Sequence, residues 1–350
     1  MNAGPSWLPL GAVTGIGSLP CIDAREALQL IAEWCPEIPF WPQLPRRAAQ
    51  EGMIEQALGS GISFFVPRRT AYGYALRIRS RQACLRHLSQ GDAALTEQTA
   101  AGFFAFEQAL ASGLFPHAHA LKGQCVGPLT LACQLFSGDQ PLLFDPEALS
   151  ALATHVTRQA LWQTQRLQRW RLPTLCFLDE PCLALLDTEP YLSVRSQAVM
   201  LLRGVVQAIQ RSGVLVGVHC CAEQVSFPLL CQIAPDVLSF DAFQRLETFC
   251  SDQRVDSFFE HGGLTAFGLV PTTDLSMPDA SVLFARWLLA CPEKEVQYRA
   301  ARTLITATCG LGLLDREHAQ ASFQVAGALA ALVKKVATVH SLPQRQDRKH

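Results

Sequence analysis

The chain has 350 residues, 49% of them hydrophobic and 17% charged, which is ample material for one large core or two ordinary ones and rules out disorder over most of its length. Its 29 basic and 30 acidic side chains balance, leaving no electrostatic footprint for nucleic acid or an anionic membrane, so a small molecule is the expected partner. Apolar runs are broken by Gly, Pro or charge before they reach the roughly 20 residues that a bilayer requires.

Met1 to Leu10 lack the basic start and apolar stretch of a secretory signal, so the expected location is the cytoplasm, where thiols stay reduced. The 13 cysteines are odd in number and unevenly spaced from Cys21 to Cys309. They read as buried small apolar residues, with two or three left for metal binding or catalysis.

Eight short β-branched or apolar runs follow one another along the chain: Val13 to Pro20, Ile38 to Leu44, Leu121 to Leu129, Thr174 to Pro181, Val214 to Cys221, Val237 to Asp241, Leu264 to Val270 and Leu304 to Cys309. Amphipathic stretches separate most of them: Asp23 to Trp34, Pro146 to Arg171, Tyr191 to Ser212 and Ser276 to Leu289, with His318 to Val339 after the last. This alternation predicts an α/β fold, a single (β/α)8 TIM barrel covering residues 1–340. One connection, 45–120, is far too long for a helix and two loops. It contains a helical stretch, Arg47 to Leu58, then Ile62 to Arg69 and Tyr72 to Arg79 about a turn, then more helix, and is expected either to pad the rim or to cover the mouth as a lid. Residues 341–350 are polar and expected to be a flexible tail.

In such a barrel chemistry gathers at the carboxyl ends of the strands, and here nearly every run ends in polar residues. On a strand, residues two apart share a side, so His219 and Cys221 present a nitrogen and a sulfur together while Cys220 faces away. Asp241 closes the next run and Cys309 the eighth. Two thiolates, an imidazole and a carboxylate suit Zn2+; the competing reading is a set of ordinary buried cysteines. A zinc held by two cysteines is a poor hydrolytic centre but can hold an incoming thiol as thiolate.

Gly15-Ile16-Gly17-Ser18 offers backbone N–H groups and a hydroxyl suited to a small carboxylate, or else is a plain Gly-rich turn. Asp179 and Glu180 end an apolar strand where neither is cheap to bury. One is expected to face the mouth and hold an ammonium group; the alternative is a salt bridge to Arg46 or Arg47.

The set Thr14-Gly15-Ile16-Gly17-Ser18-Leu19-Pro20, Gly127-Pro128-Leu129-Thr130, Asp179-Glu180-Pro181, His219-Cys220-Cys221, Val237-Leu238-Ser239-Phe240-Asp241 and Cys309-Gly310-Leu311 resembles the catalytic barrel of cobalamin-independent methionine synthase. The wider group holds uroporphyrinogen decarboxylases and zinc-dependent corrinoid methyltransferases. The resemblance runs from Val13 to about Val339. It implies zinc bound by His219, Cys221 and Cys309, with Asp241 where the synthase has a glutamate. It also implies an amino acid held through its carboxylate by Ile16, Gly17 and Ser18 and through its ammonium by Asp179.

The chain departs from that pattern in four places. Asp241 is the shorter carboxylate; Pro42-Gln43-Leu44-Pro45-Arg46-Arg47 lacks the synthase's acidic substrate contact; Gly268-Leu269-Val270-Pro271-Thr272 lacks a proton-delivering histidine; and the synthase's second, amino-terminal barrel has no counterpart. The expected activity is therefore transfer of a methyl group from methylcobalamin, brought by a corrinoid protein, or from a folate-type carrier, to a thiol such as homocysteine. Asp179 and Asp241 are the catalytic carboxylates of this reading. Two alternatives stand beside it: a metal-free decarboxylase using Arg46 and Arg47, and a non-catalytic barrel that holds a corrinoid or metal.

Overall fold

The computed structural model describes residues 7–69, 72–273 and 276–338, so the expected tail at 341–350 lies outside the described residues. Ten strands are present among them: β1 (Phe65–Pro67), β2 (Tyr74–Leu76), β3 (Leu121–Val126), β4 (Leu135–Ser137), β5 (Gln140–Pro141), β6 (Thr174–Asp179), β7 (Leu215–Cys220), β8 (Val237–Asp241), β9 (Leu264–Val270) and β10 (Thr303–Ala307). The helices, in chain order, are α1 (Ala24–Trp34), α2 (Met53–Leu58), α3 (Arg81–Gln90), α4 (Ala101–Ala111), α5 (Pro128–Gln134), α6 (Pro146–Leu167), α7 (Arg195–Gln210), α8 (Phe227–Ile233), α9 (Ala242–Cys250), α10 (Gln253–Glu260), α11 (Ala280–Ala290), α12 (Val296–Ala301) and α13 (Arg316–Thr338). Aspartates start several of them: Asp23, Asp145, Asp241, Asp252 and Asp279 each accept a first-turn backbone N–H, satisfying donors that a helix leaves free. None of the described helices is long and apolar enough to cross a membrane.

Six strands form one all-parallel sheet in the order β10-β9-β8-β7-β6-β3, each pair separated in sequence by helix. The other two expected strands do not form regular ladders. Val13 meets Ile305, Ser18 meets Gln43 and Phe40 meets Lys122 through single parallel bridges, which run from β10 through the first two segments to β3. The composition of these segments explains the difference. Pro39 and Pro42 carry no N–H to donate, and Gly15 and Gly17 bring no side chain to pack, so a continuous ladder cannot form there. Scattered bonds take its place, including Gly11 N to Thr303 O at 2.8 Å, Gln43 N to Gly17 O at 2.9 Å and Lys122 N to Pro39 O at 3.0 Å.

Alternate residues of the curled sheet point inward, where Leu175, Phe177, Val237, Leu264, Ala266 and Leu304 make a buried apolar plug. Trp7 and Leu8 pack against it, marking its floor. The opposite faces of the strands join the larger core under the helices.

The 45–120 connection divides into two kinds of structure. α4 buries Phe103 and Phe106 in the helical layer, with Phe103 edge-on to Trp41 at 5.8 Å. The segment before it supplies β1 and β2, which join β4 and β5 in a small sheet of order β1-β2-β4-β5. Because β4 directly follows α5, whose first residue lies just beyond the tip of β3, this sheet belongs to the mouth end.

The plug leaves no slack at Gly217 on β7, where a Cβ would stand 2.5 Å from the Phe177 ring. Gly217→Ala is expected to cost about 1–3 kcal/mol in urea unfolding. Adding Phe177→Leu should cost less in that variant than in the parent protein, since the smaller side chain relieves the overlap.

Candidate metal centre and acceptor pocket

β7 and β10 bring the first three candidate ligands together. His219 and Cys221 stand on one side of the β7 tip, while Cys220 turns into the apolar core with its thiol 3.9 Å from Pro181 O. Cys309 arrives two residues after β10, with its sulfur 3.6 Å from that of Cys221. Donor atoms of His219, Cys221 and Cys309 all lie within 4.8 Å of one another. A tetrahedral ion bonded to two sulfurs at about 2.3 Å would hold them roughly 3.8 Å apart, so the spacing suits zinc.

The imidazole is aimed by its neighbour. Nδ1 lies 2.9 Å from Ser239 Oγ on β8, whereas Nε2 is buried and has no hydrogen-bond partner. With its proton on Nδ1, the ring donates to Ser239 and leaves the Nε2 lone pair for a metal. The hydrogen-bonded pairing of the two thiols, aided by nearby His219, pulls Cys309 down to about 4 against the opposing effect of burial. The same pairing and burial push Cys221 up.

Asp241, the fourth expected ligand, is not in this cluster. Its Oδ1 accepts the Gln244 N–H at 3.0 Å and caps α9. Helix capping takes a carboxylate at the end of β8 for a local purpose, which the sequence pattern alone does not distinguish from metal ligation.

The adjacent carboxylates have separate roles. Glu180 is fully buried and makes no salt bridge to Arg46 or Arg47: its oxygens accept from Leu129 N at 2.9 Å, Thr130 N at 2.7 Å and Thr130 Oγ1 at 2.6 Å. It thereby ties the β6 tip to the start of α5, across Gly127, where a Cβ would overlap its carboxyl at 2.2 Å. Burial outweighs these bonds and raises its pKa to about 8. Arg46 instead donates to Leu313 O and Arg47 pairs with Glu51. Asp179 keeps a buried Oδ1 without a hydrogen-bond partner; burial raises it to about 6, with His219 and Lys122 pulling the other way.

Ser18 is stitched to the tip that carries Cys309. Leu311 N donates to Ser18 O at 2.9 Å and Gly312 N to Ser18 Oγ at 3.3 Å. Gly310 is required by this approach, because a Cβ there would meet Ser18 Oγ at 2.2 Å. Gly17 O is taken by Gln43 N, whereas the Gly17 and Ser18 N–H groups have no acceptor among the described residues. At the β9 tip, Thr272 Oγ1 and Thr308 Oγ1 are 2.9 Å apart. Ser239 appears in the strand-tip motif without a role of its own, and Lys122 and Gln124 lie in no motif, although their alternation along β8 and β3 puts all three on the inward faces.

Removing Glu180 strands two backbone donors in the core, so Glu180→Ala is expected to destabilise the protein by about 3–5 kcal/mol in denaturant titration. In chelator-treated protein at pH 5.5, above the Cys309 value of about 4 and below the Cys182 value of about 7, iodoacetamide should modify Cys309 ahead of Cys182, as read by peptide mass spectrometry. Cys221→Ser should slow that reaction, since the lowering depends chiefly on the Cys221 thiol.

No protein-family model matches the sequence, and no curated protein matches it. The fold is shared with the solved structure of a B12-independent methionine synthase from Shewanella sp. W3-18-1 in complex with selenomethionine. The similarity covers 89% of this chain and 86% of that one, at a TM-score of 0.58 and 13% sequence identity.

Proposed function

We propose that this protein is a zinc-dependent methyltransferase whose acceptor is the sulfur of a small amino-acid thiol of the homocysteine type. The observation that carries the reading is the buried, unpartnered Nε2 of His219 facing two sulfurs already 3.6 Å apart. Zinc bound there would keep the acceptor thiol ionised at neutral pH. The methionine synthase likeness supports the same chemistry, and in this reading the two bridged segments complete an eight-membered barrel around the site.

His219, Cys221 and Cys309 would hold the metal, and Ser239 fixes the ring orientation of His219. Three protein ligands leave one exchangeable position, as a catalytic zinc site requires. Asp241 is assigned to the α9 cap. Gly17 and Ser18 N–H receive the acceptor's carboxylate, and Asp179, ionised above about 6, receives its ammonium. The thiol proton is released to water before attack; the new S–CH3 bond forms as the carrier–CH3 bond breaks, and the leaving nitrogen of a folate-type carrier takes a proton from water. The pocket contributes chiefly by holding sulfur and methyl in line. The B12-independent character of the similar enzyme gives a corrinoid donor or corrinoid protein partner no support, so a folate-type carrier is the first donor to try.

Metal analysis tests the site directly. Purified protein should contain about one zinc per chain, and Cys221→Ser or Cys309→Ser should lower its affinity for zinc by at least about tenfold. Near-stoichiometric zinc in both variants excludes the site. Asp241→Asn, which preserves a good helix cap, should retain zinc. Methyl transfer to homocysteine is then measured with methyltetrahydrofolate and methylcobalamin in parallel; bound zinc with no turnover from either carrier would favour a metal-binding role.

A further inference from the structure

Lys122 is one of five lysines in the chain and is fully buried inside the barrel. Its Nζ donates to Ile16 O at 2.7 Å and to Gln124 Oε1 at 3.0 Å, and lies 4.5 Å from the centre of the Phe177 ring. No carboxylate among the described residues lies within ion-pair distance of it. Burial pulls the ammonium down to about 8, leaving it charged at neutral pH, with Asp179 the strongest influence in the opposite direction. A buried charge without a paired anion is expensive, and an apolar side chain of equal length would fill the same space.

The bond to Ile16 gives that charge a use. In a trans peptide the C=O and the following N–H point in opposite directions. Pinning the Ile16 carbonyl to Lys122 inside the barrel therefore turns the Gly17 N–H away from the ammonium. Polarisation of the same peptide makes that N–H a stronger donor. Gln124 braces the arrangement: its Nε2 donates to Trp41 O at 2.8 Å, and its side chain packs so close to Gly17 that a Cβ there would stand 2.8 Å from it.

We infer that Lys122 is a positioning residue for the acceptor pocket, holding the Ile16 carbonyl on its ammonium so that the Gly17 N–H, turned the other way, is presented to an amino-acid carboxylate. Resting on the acceptor reading above, the inference assigns carboxylate selectivity to a residue that never touches the acceptor. Lys122 and Asp179 then act on one zwitterion together, the lysine through a peptide bond and the aspartate directly.

The test compares L-homocysteine with 3-mercaptopropylamine, which carries the same thiol and ammonium but no carboxylate. Binding is measured by calorimetry on the full-length zinc-loaded protein. The parent protein should prefer homocysteine. In Lys122→Met the homocysteine Kd should rise about tenfold or more, while 3-mercaptopropylamine binding and zinc content stay unchanged. Lys122→Arg should recover part of the loss. A folded, zinc-replete K122M protein that keeps the full preference overturns the role of Lys122 and leaves the acceptor reading standing; a parent protein that binds neither thiol overturns both.

Should K122M fail to fold, 15N-lysine spectra of the parent protein decide the matter. The buried ammonium signal should shift with homocysteine and not with 3-mercaptopropylamine, and an unmoved signal overturns the inference.

Discussion

The site depends on the parallel register that places the ends of β7 and β10 at one mouth. Neither His219 nor Cys221 has a metal-binding partner on its own element beyond the other; the third donor comes from Cys309, 88 residues further on. Closing that distance requires the strands between to curl while keeping their order, and requires the Cys309 tip to be held against the first segment by Ser18. The absence of a side chain at Gly310 is what permits the approach. Everything assigned to zinc and acceptor binding follows from that convergence.

Much of this was legible in the sequence, because strand-tip polarity and side-chain alternation are local properties. The placement of His219 and Cys221 on one side, with Cys220 turned into the core, follows from the two-residue period alone. Six of the eight expected strands carry ladder bonds. The first two segments depart from regular strand structure where Pro39, Pro42, Gly15 and Gly17 stand. The division of the long connection, with α4 in the helical layer and the β1–β2 hairpin joined to β4, depends on tertiary pairing that no local pattern encodes.

What the sequence conceals is the partner of each polar group. Asp241 and Glu180 look alike as acids at strand ends, yet one caps the helix that follows it and the other reaches across to the helix after β3. Lys122 sits in a run of apolar residues where its charge gives no hint of the Ile16 carbonyl, which lies 106 residues away. Lys122 and Gln124 lie in register with the plug residues Leu175 and Phe177, and Asp179 with His219 of the metal cluster, so charged and apolar side chains share the inner face of the sheet.

The same proximity that suits Cys221 and Cys309 to a metal also exposes them to oxidants. An S–S bond is about 2.05 Å long, so the pair at 3.6 Å is a short approach from disulfide formation, and Cys309 already favours the thiolate form that such chemistry requires. Bound zinc and a disulfide would draw on the same two sulfurs, so each state excludes the other. Loss of the ion would convert a ligand pair into a vulnerable dithiol, coupling occupancy of the centre to the reducing power of its surroundings.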